Sequence, residues 1–338
     1  MITLHSRADY DHAIANLPVA DETAANAARD RQGQLTKPPG SLGRLEDLAI
    51  WMAGWQGQEK PEINAPSCLI FAGNHGIAAL GVSAFPADVT AQMVGNFAAG
   101  GAAINQLTKA AGASLDVIAL DLDQPTADFT QSPAMSEDET LAAMAKGAEA
   151  IPQDADMLLV GEMGIGNTTA AAAVSMATLG GDAASWVGRG TGVDDNGLKL
   201  KADVISRGMA TNQDLMGSGF GILSALGGRE MAAIAGAVLA ARHRRIPVLL
   251  DGYISTASAL PLFKDNPNAL NHCLISHRSQ EPGHHQIIEK TGLMPLLDLG
   301  MRLGEGSGAA TALPIVKSAL AAHNGMATFA EAGVSGAS

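Results

Sequence analysis

Residues 156–169 read DMLLVGEMGIGNTT. Four apolar residues stop at Gly161, a lone Glu162 follows, and then comes Gly-Ile-Gly-Asn-Thr-Thr, running into four alanines at 170–173. A short unbroken apolar run that ends in glycine predicts a buried strand, and the alanines predict a helix after it. Between the two, glycines let a ligand come close to the backbone, and the free N–H groups at a helix start face an anion. Gly164, Gly166, Asn167 and Thr168 are therefore candidates to hold a phosphate; a turn capped by Asn or Thr is the plainer alternative. The stretch lacks the lysine of a nucleotide P-loop and the spacing of a dinucleotide fingerprint.

The same pattern recurs. SCLIFAGNHG (67–76), LDVIALDL (115–122), AASWVGRGTG (183–192), RIPVLLDGY (245–253) and LNHCLISHRS (270–279) are further short apolar runs ending in polar or glycine-rich segments. With residues 156–164 they make six strand candidates separated by Ala-rich helical segments. Strands alternating with helices predict an α/β fold: a Rossmann-like, mostly parallel sheet with helices on both faces. In such sheets ligands lie at the C-terminal ends of the strands. Those ends carry Asn74-His75, Asp121, Glu162, Arg189, Asp251 and His277-Arg278.

Both ends of the chain read as helix. Residues 1–60 are helical apart from a turn at TKPPGSLG (36–43), where prolines and glycines stop a helix. The expected division is a large Rossmann-like α/β domain over 65–300 and a small helical domain built from 1–64 with 301–338. The polar segment 122–140, which contains two prolines, is expected to be a surface connection.

Composition narrows the function. Hydrophobic residues make up 47% and aromatics 4%, with 39 glycines, which suits helices packed closely on a sheet. The net charge of −13 argues against nucleic acid as a partner, since phosphate neutralisation needs clustered Lys and Arg. A small phosphorylated molecule needs only a local positive site. The two cysteines, Cys68 and Cys273, sit in apolar runs and are expected as buried thiols. No apolar run reaches membrane-spanning length and no signal segment is evident, so a cytoplasmic location without membrane association is expected.

Two more glycine-rich segments carry chemistry. GRGTGVDDNGLKLK (188–201) offers Gly188, Arg189, Gly190, Thr191 and Gly192 as a second anion-binding turn, with Lys201 as its cation. LGEGSGAA (303–310) sets Glu305 between glycines in an otherwise helix-forming stretch, a costly choice that suggests a ligand close by; a simple helix break with an exposed Glu is the plainer alternative. His277, His284 and His285 do not form a helical i, i+4 pair, so no metal is expected there.

Taken together, LTKPPGSLGRLEDLA, AGNHGIAALGVSAFP, VGEMGIGNTTAAAA, GRGTGVDDNGLKLK, DGYISTASAL, SHRSQEPGHH, LLDLGMRLGEGSGAA and MATFAEAGVS occur in this order from about residue 35 to 335. This series resembles the nicotinate-nucleotide–dimethylbenzimidazole phosphoribosyltransferases. Two positions depart from the family's usual pattern: Asn74 stands where Asp is common, and Ser307 where Thr is common. The resemblance implies transfer of phosphoribose from nicotinate mononucleotide to 5,6-dimethylbenzimidazole, giving α-ribazole 5′-phosphate, the lower-ligand nucleotide of cobalamin, and nicotinate. It implies a homodimer and no metal or organic cofactor. It places Glu305 as the base, Glu162 as a second active-site carboxylate, both Gly-rich turns with Lys201 at the 5′-phosphate, and Gln92 and Leu303, with Met163, around the benzimidazole. Single displacement would invert C1′. A different acceptor (adenine, another benzimidazole or a phenol) and a non-catalytic nucleotide-binding protein are the alternatives.

Overall fold

Five parallel strands form one sheet in the computed structural model, which describes residues 2–335. They are β1 (Pro66–Ala72), β2 (Ser114–Ala119), β3 (Met157–Met163), β4 (Val248–Leu250) and β5 (Cys273–Ile275), in the order β2-β1-β3-β4-β5. The chain runs outward from β1 to β2, then crosses back to build β3, β4 and β5 on the other side. That reversal lies between β1 and β3, and the crevice outside the strand ends at such a point is where ligands bind.

The side chains of β1 and β3 alternate between two cores, as a period of two requires. Leu69, Phe71, Leu158 and Val160 face one core; Cys68, Ile70, Met157 and Leu159 face the other. Helices Glu137–Glu149, Asn167–Leu179, Arg229–His243 and Tyr253–Asp265 belong to the first. Helices Arg44–Gln56, Ala103–Ala111 and Ser307–Gly325 cover the second. Both cysteines are buried and free.

The abundance of Gly and Ala has a direct use here. A Cβ at Gly147 would sit 1.9 Å from the Ala233 carbonyl oxygen, and one at Gly236 would sit 2.0 Å from that of Met144. Helices Glu137–Glu149 and Arg229–His243 therefore touch backbone to backbone, a contact that larger side chains would prevent.

The segment 183–192 is not a strand. Asp182 caps a single helical turn, Ala183–Trp186, by accepting from the Ser185 N–H, and Trp186 is fully buried. Glycines at 188, 190 and 192 then carry a loop that has few side chains with which to hold a place in a sheet. The segment 122–140 is also more than a surface connection. Phe129 and Met135 are buried within it, and Asn74 holds its start by donating to the Leu122 carbonyl at 2.8 Å.

The chain ends pack in two places. Tyr10 of the helix Arg7–Ala15 lies 5.1 Å from the Phe220 ring and donates to Asp265 at 2.7 Å. The helix Glu22–Gln34 meets the C-terminal helix through Arg31, whose Nε donates to the His323 carbonyl at 2.9 Å. Residue 1 and residues 336–338, the extremities of the expected small domain, lie outside the described residues. Among the described residues, no helix is long and apolar enough to cross a membrane.

Candidate active site

Parallel register brings three carboxylates to one edge. Glu162 pairs with Phe71 near the end of β1, Val160 pairs with Leu250, and Asp251 follows directly. Glu305 arrives from far along the chain, in the turn before the helix Ser307–Gly325. All three line a cavity of about 680 Å³.

Asp251 fixes that turn. Its carboxylate is buried and accepts from the backbone N–H groups of Gly306 (3.0 Å), Gly308 (2.6 Å) and Ala309 (3.0 Å). The helix Ser307–Gly325 has no capping side chain of its own, so Asp251 supplies the anion its N-terminus needs. The glycine-rich break expected around Glu305 lies ahead of the helix rather than inside it. Gly304, Glu305 and Gly306 take φ values of 80°, 59° and 75°, three left-handed residues in a row. A non-glycine residue rarely adopts that conformation, and its persistence at Glu305 marks an imposed geometry. Glycine at 304 is required twice over: by its φ, and because a Cβ there would lie 2.5 Å from Glu162 Oε1. The Glu162 carboxylate therefore rests against the turn that carries Glu305.

Crowding of like charge in a buried place changes both acids. Burial, aided by the negative charges of Asp251, Glu230 and Glu305, pushes Glu162 up to about 8. Asn167 partly opposes this by donating to Glu162 Oε2. Burial and Asp251 push Glu305 up to about 7. Burial also raises Asp251, against His277 and the three backbone donors. Carboxyls with such proton affinities can exchange a proton near neutral pH.

The wall next to Glu162 is suited to an anion. The helix Asn167–Leu179 starts from Gly166 at φ 96° and has no side-chain cap, and Gly164, Asn167 and Thr168 line the cavity beside it. Thr168 accepts a hydrogen bond from Lys201 Nζ at 3.1 Å, and Lys201 also donates to the Gly188 carbonyl at 3.0 Å. Lys201 is buried behind Gly190, and a Cβ at Gly190 would come within 3.0 Å of its Nζ. Burial lowers the Lys201 ammonium from its ordinary value, and the Glu281 charge resists that. Glu281 accepts from the Gly190 N–H at 3.1 Å, and Arg302 donates to the Gly190 carbonyl at 3.0 Å.

The structure thus gathers Glu162, Gly164, Asn167, Thr168, Gly190, Thr191, Leu303 and Glu305 around one cavity, with Met163. Gly166 and Lys201 are buried behind them. Gly188, Arg189 and Gly192 line a smaller neighbouring cavity of about 420 Å³, which shares Glu281 and Arg302 as walls. Arg189 is exposed and occupied by Asp195 at 2.7 Å. Gln92 is exposed and does not line the cavity, whereas Val89 and Met93 of the same helix do. The sequence reading also missed Phe85, Tyr253, Ser279, Glu281 and Arg302 in the wall. Glu281 lies in the dense SHRSQEPGHH stretch, whose polarity was visible but whose aim was not. Arg302 adjoins Leu303, and nothing in its local pattern marks it. Among the described residues, no group of three His, Cys, Asp or Glu is placed to hold a metal ion.

A parallel α/β sheet with an acid cluster and an uncapped helix start lining one cavity is the layout of an enzyme that handles a phosphorylated small molecule. Residues 17–334 match the family model described as phosphoribosyltransferase. The chain is 57% identical over 334 residues to the nicotinate-nucleotide–dimethylbenzimidazole phosphoribosyltransferase of a Ruegeria species, covering 98% of both chains. It is 59% identical over 329 residues to the protein of the same name from Novosphingobium aromaticivorans, covering 97% of both. The crystal structure of the Thermus thermophilus enzyme of that name superposes with a TM-score of 0.87 at 40% identity, covering 94% of this chain and 100% of that one. This chain is a phosphoribosyltransferase, a pentosyltransferase enzyme. It belongs to the nicotinate-nucleotide–dimethylbenzimidazole phosphoribosyltransferase family.

Proposed function

We propose that the protein transfers phosphoribose from nicotinate mononucleotide to 5,6-dimethylbenzimidazole, releasing nicotinate and α-ribazole 5′-phosphate. The observation that carries this reading is the convergence of Glu162 and Glu305 on one cavity that an uncapped helix start backed by Lys201 also lines. The relatives' names point to the same pair of substrates.

The donor ring is a pyridinium. Its positive charge suits a cavity crowded with carboxyls, and that charge vanishes when the C1′–N bond breaks and the bonding pair moves to the ring nitrogen. The leaving group is then a neutral pyridine ring and needs no acid. One benzimidazole nitrogen attacks C1′ from the opposite face, so a β-nucleotide becomes an α-nucleotide. The positive charge now lies on the benzimidazole, whose other nitrogen becomes a stronger acid and gives its proton to Glu305. A carboxylate of raised basicity is well matched to that transfer. Glu162 lies where ribose and donor ring meet. Gly164, Asn167, Thr168 and Gly190 hold the 5′-phosphate, with the positive charge of Lys201 behind Thr168 and Gly190, leaving the chain to align three groups for a single displacement. Phe85, Val89, Met93 and Leu303 give the acceptor ring its apolar surroundings. Phe85 and Leu303 are 51% and 55% exposed at the rim, which accords with a homodimer in which a second copy closes the cavity. The reading includes a cytoplasmic location and division of the chain into a large Rossmann-like domain over 65–300 and a small helical domain from 1–64 with 301–338.

The test mixes purified protein with both substrates, without added metal, and follows nicotinate and α-ribazole 5′-phosphate by chromatography and mass. Both products should form in equal amounts. Folded protein that yields neither would overturn the proposal, and transfer to adenine or a phenol in place of the benzimidazole would correct the acceptor.

A further inference from the structure

Nicotinate mononucleotide carries two anionic groups, the 5′-phosphate and the carboxylate on its ring. The uncapped helix start suits the first; the second needs a partner of its own. Most of the cavity wall opposes it, because Glu162, Asp251, Glu281 and Glu305 all line the cavity and like charges repel. Among the described residues, Arg302 is the one Lys or Arg in that wall. Lys201 lies behind Thr168 and Gly190. Arg189 lines the neighbouring cavity, where Asp195 occupies it at 2.7 Å. His277, also in the wall, faces Asp251 at 3.9 Å. Arg302 is exposed, at the edge that the two cavities share. Its segment is held on both sides. The Gln280 N–H donates to the Met301 carbonyl at 3.1 Å just before it, and two residues after it Gly304 packs against Glu162. The guanidinium itself is anchored through Nη1, which donates to the Gly190 carbonyl at 3.0 Å. Glu281 shares both cavities with Arg302 but accepts from the Gly190 N–H instead, at 3.1 Å. Among the described residues Arg302 forms no ion pair. A guanidinium presents its N–H donors as a rigid fork that matches the two oxygens of a carboxylate. Anchoring one nitrogen to backbone steadies that fork and leaves the other donors for a ligand.

We propose that Arg302 is a specificity-determining residue that binds the ring carboxylate of the donor and so selects nicotinate mononucleotide over its carboxamide analogue, nicotinamide mononucleotide. The inference rests on the donor assigned under the proposed function. The segment that carries Arg302 runs on through Gly304, which touches Glu162, to Glu305. A donor ring beside Glu162 therefore has Arg302 on the same wall, with the ring cation toward the acid and the ring carboxylate toward the guanidinium. Nicotinamide mononucleotide keeps the phosphate, the ribose and the pyridinium and lacks only the carboxylate charge. It loses this contact alone, whereas a phosphate contact would serve both nucleotides equally.

The test is titration calorimetry of the whole protein with each nucleotide in turn, which reads affinity without turnover. Wild type should bind nicotinate mononucleotide about tenfold more tightly than nicotinamide mononucleotide. Arg302→Gln should weaken the first about tenfold, leave the second within about twofold, and so bring the two affinities together. Arg302→Lys keeps the charge without the fork and should fall between wild type and the glutamine variant; it serves as the test if that variant does not fold. Equal losses for both nucleotides would overturn the proposal and assign Arg302 to the phosphate or to the loop at 188–192. A preference that survives Arg302→Gln, or a wild type without one, would also overturn it. Product formation from nicotinate mononucleotide and 5,6-dimethylbenzimidazole, assayed in parallel, separates two failures. Protein that makes product but fails the affinity comparison loses only the role of Arg302. Protein that binds neither nucleotide and makes no product loses the donor assignment, and the role of Arg302 with it.

Discussion

Two turns feed two helices into the cavity, and they are opposite in character. The turn before Asn167–Leu179 leaves its helix N-terminus without a side-chain cap, next to Thr168 and a buried lysine. The turn before Ser307–Gly325 has its N-terminus filled by Asp251 and carries Glu305 in a left-handed conformation. Both are rich in glycine, and they look alike as strings of residues. The first leaves its backbone N–H groups without a side-chain partner, as the proposed phosphate site requires; in the second a protein carboxylate already fills that place, which leaves the turn to carry Glu305, the proposed base. Glu162 stands between the two, bonded to Asn167 at the start of the first helix and packed against Gly304 of the second turn.

Breaking the second turn's chemistry should have the largest effect. Glu305→Ala should lower turnover about 10²–10⁴-fold while nucleotide binding stays near wild type, measured by steady-state kinetics and equilibrium binding. Near-normal turnover would remove Glu305 from the role of base. Asp251→Ala strikes the scaffold of the same turn. It strands three backbone N–H groups and should lower stability by on the order of 1–3 kcal/mol in denaturant unfolding, with turnover falling alongside. An unchanged midpoint would show that water replaces the carboxylate at no loss.

The first turn should respond differently. Lys201→Ala should raise KM for the nucleotide roughly tenfold and move kcat less, since a phosphate anchor acts before the chemical step. An unchanged KM would argue that the uncapped helix alone holds the anion.

A more gradual effect is on stability against pH. Glu162 and Glu305 bind protons more tightly in the folded chain than in an unfolded one, where a glutamate titrates near 4.5. Between about pH 5 and 8 the folded protein therefore holds more protons, and its stability falls as pH rises, by on the order of 1 kcal/mol per pH unit. Below about pH 4.5 the contribution is flat, because both states are protonated. Glu162→Gln should make the slope shallower in unfolding experiments across that range without substrate. An identical slope would mean that Glu162 keeps an ordinary proton affinity.

Much of this fold is legible in the chain. The unbroken apolar runs of β1 and β3, each short and closed by glycine, match strands buried on both faces, and the polar residues that follow them mark the edge where the cavity lies. Residues 183–192 misled because Trp186 and Val187 imitate the end of a strand, while the cap from Asp182 that winds them into a helical turn is a local hydrogen bond rather than a pattern. At the site, Glu162 and Glu305 stood out because glycines flank them. Glu281 and Arg302 did not, since a charge in a loop, whether in a polar stretch or alone, carries no sign of its direction. Asp251 was visible as a polar strand end, but its partners are the amides at 306, 308 and 309, more than fifty residues away. Contacts of that range are set by the topology of the sheet and leave no trace in local sequence. Gln92 shows the converse: its neighbours Val89 and Met93 reach the cavity, and it faces water.

The most direct measurement is the configuration of the product at C1′. Nicotinate mononucleotide, a β-nucleotide, is incubated with 5,6-dimethylbenzimidazole and the protein, and the purified product is examined by proton NMR for through-space contacts between the base and the ribose protons. Attack from the face opposite the donor ring, with Glu305 accepting the benzimidazole proton, predicts the α-nucleotide alone. A β-nucleotide, or a mixture of anomers, would contradict single displacement in this cavity.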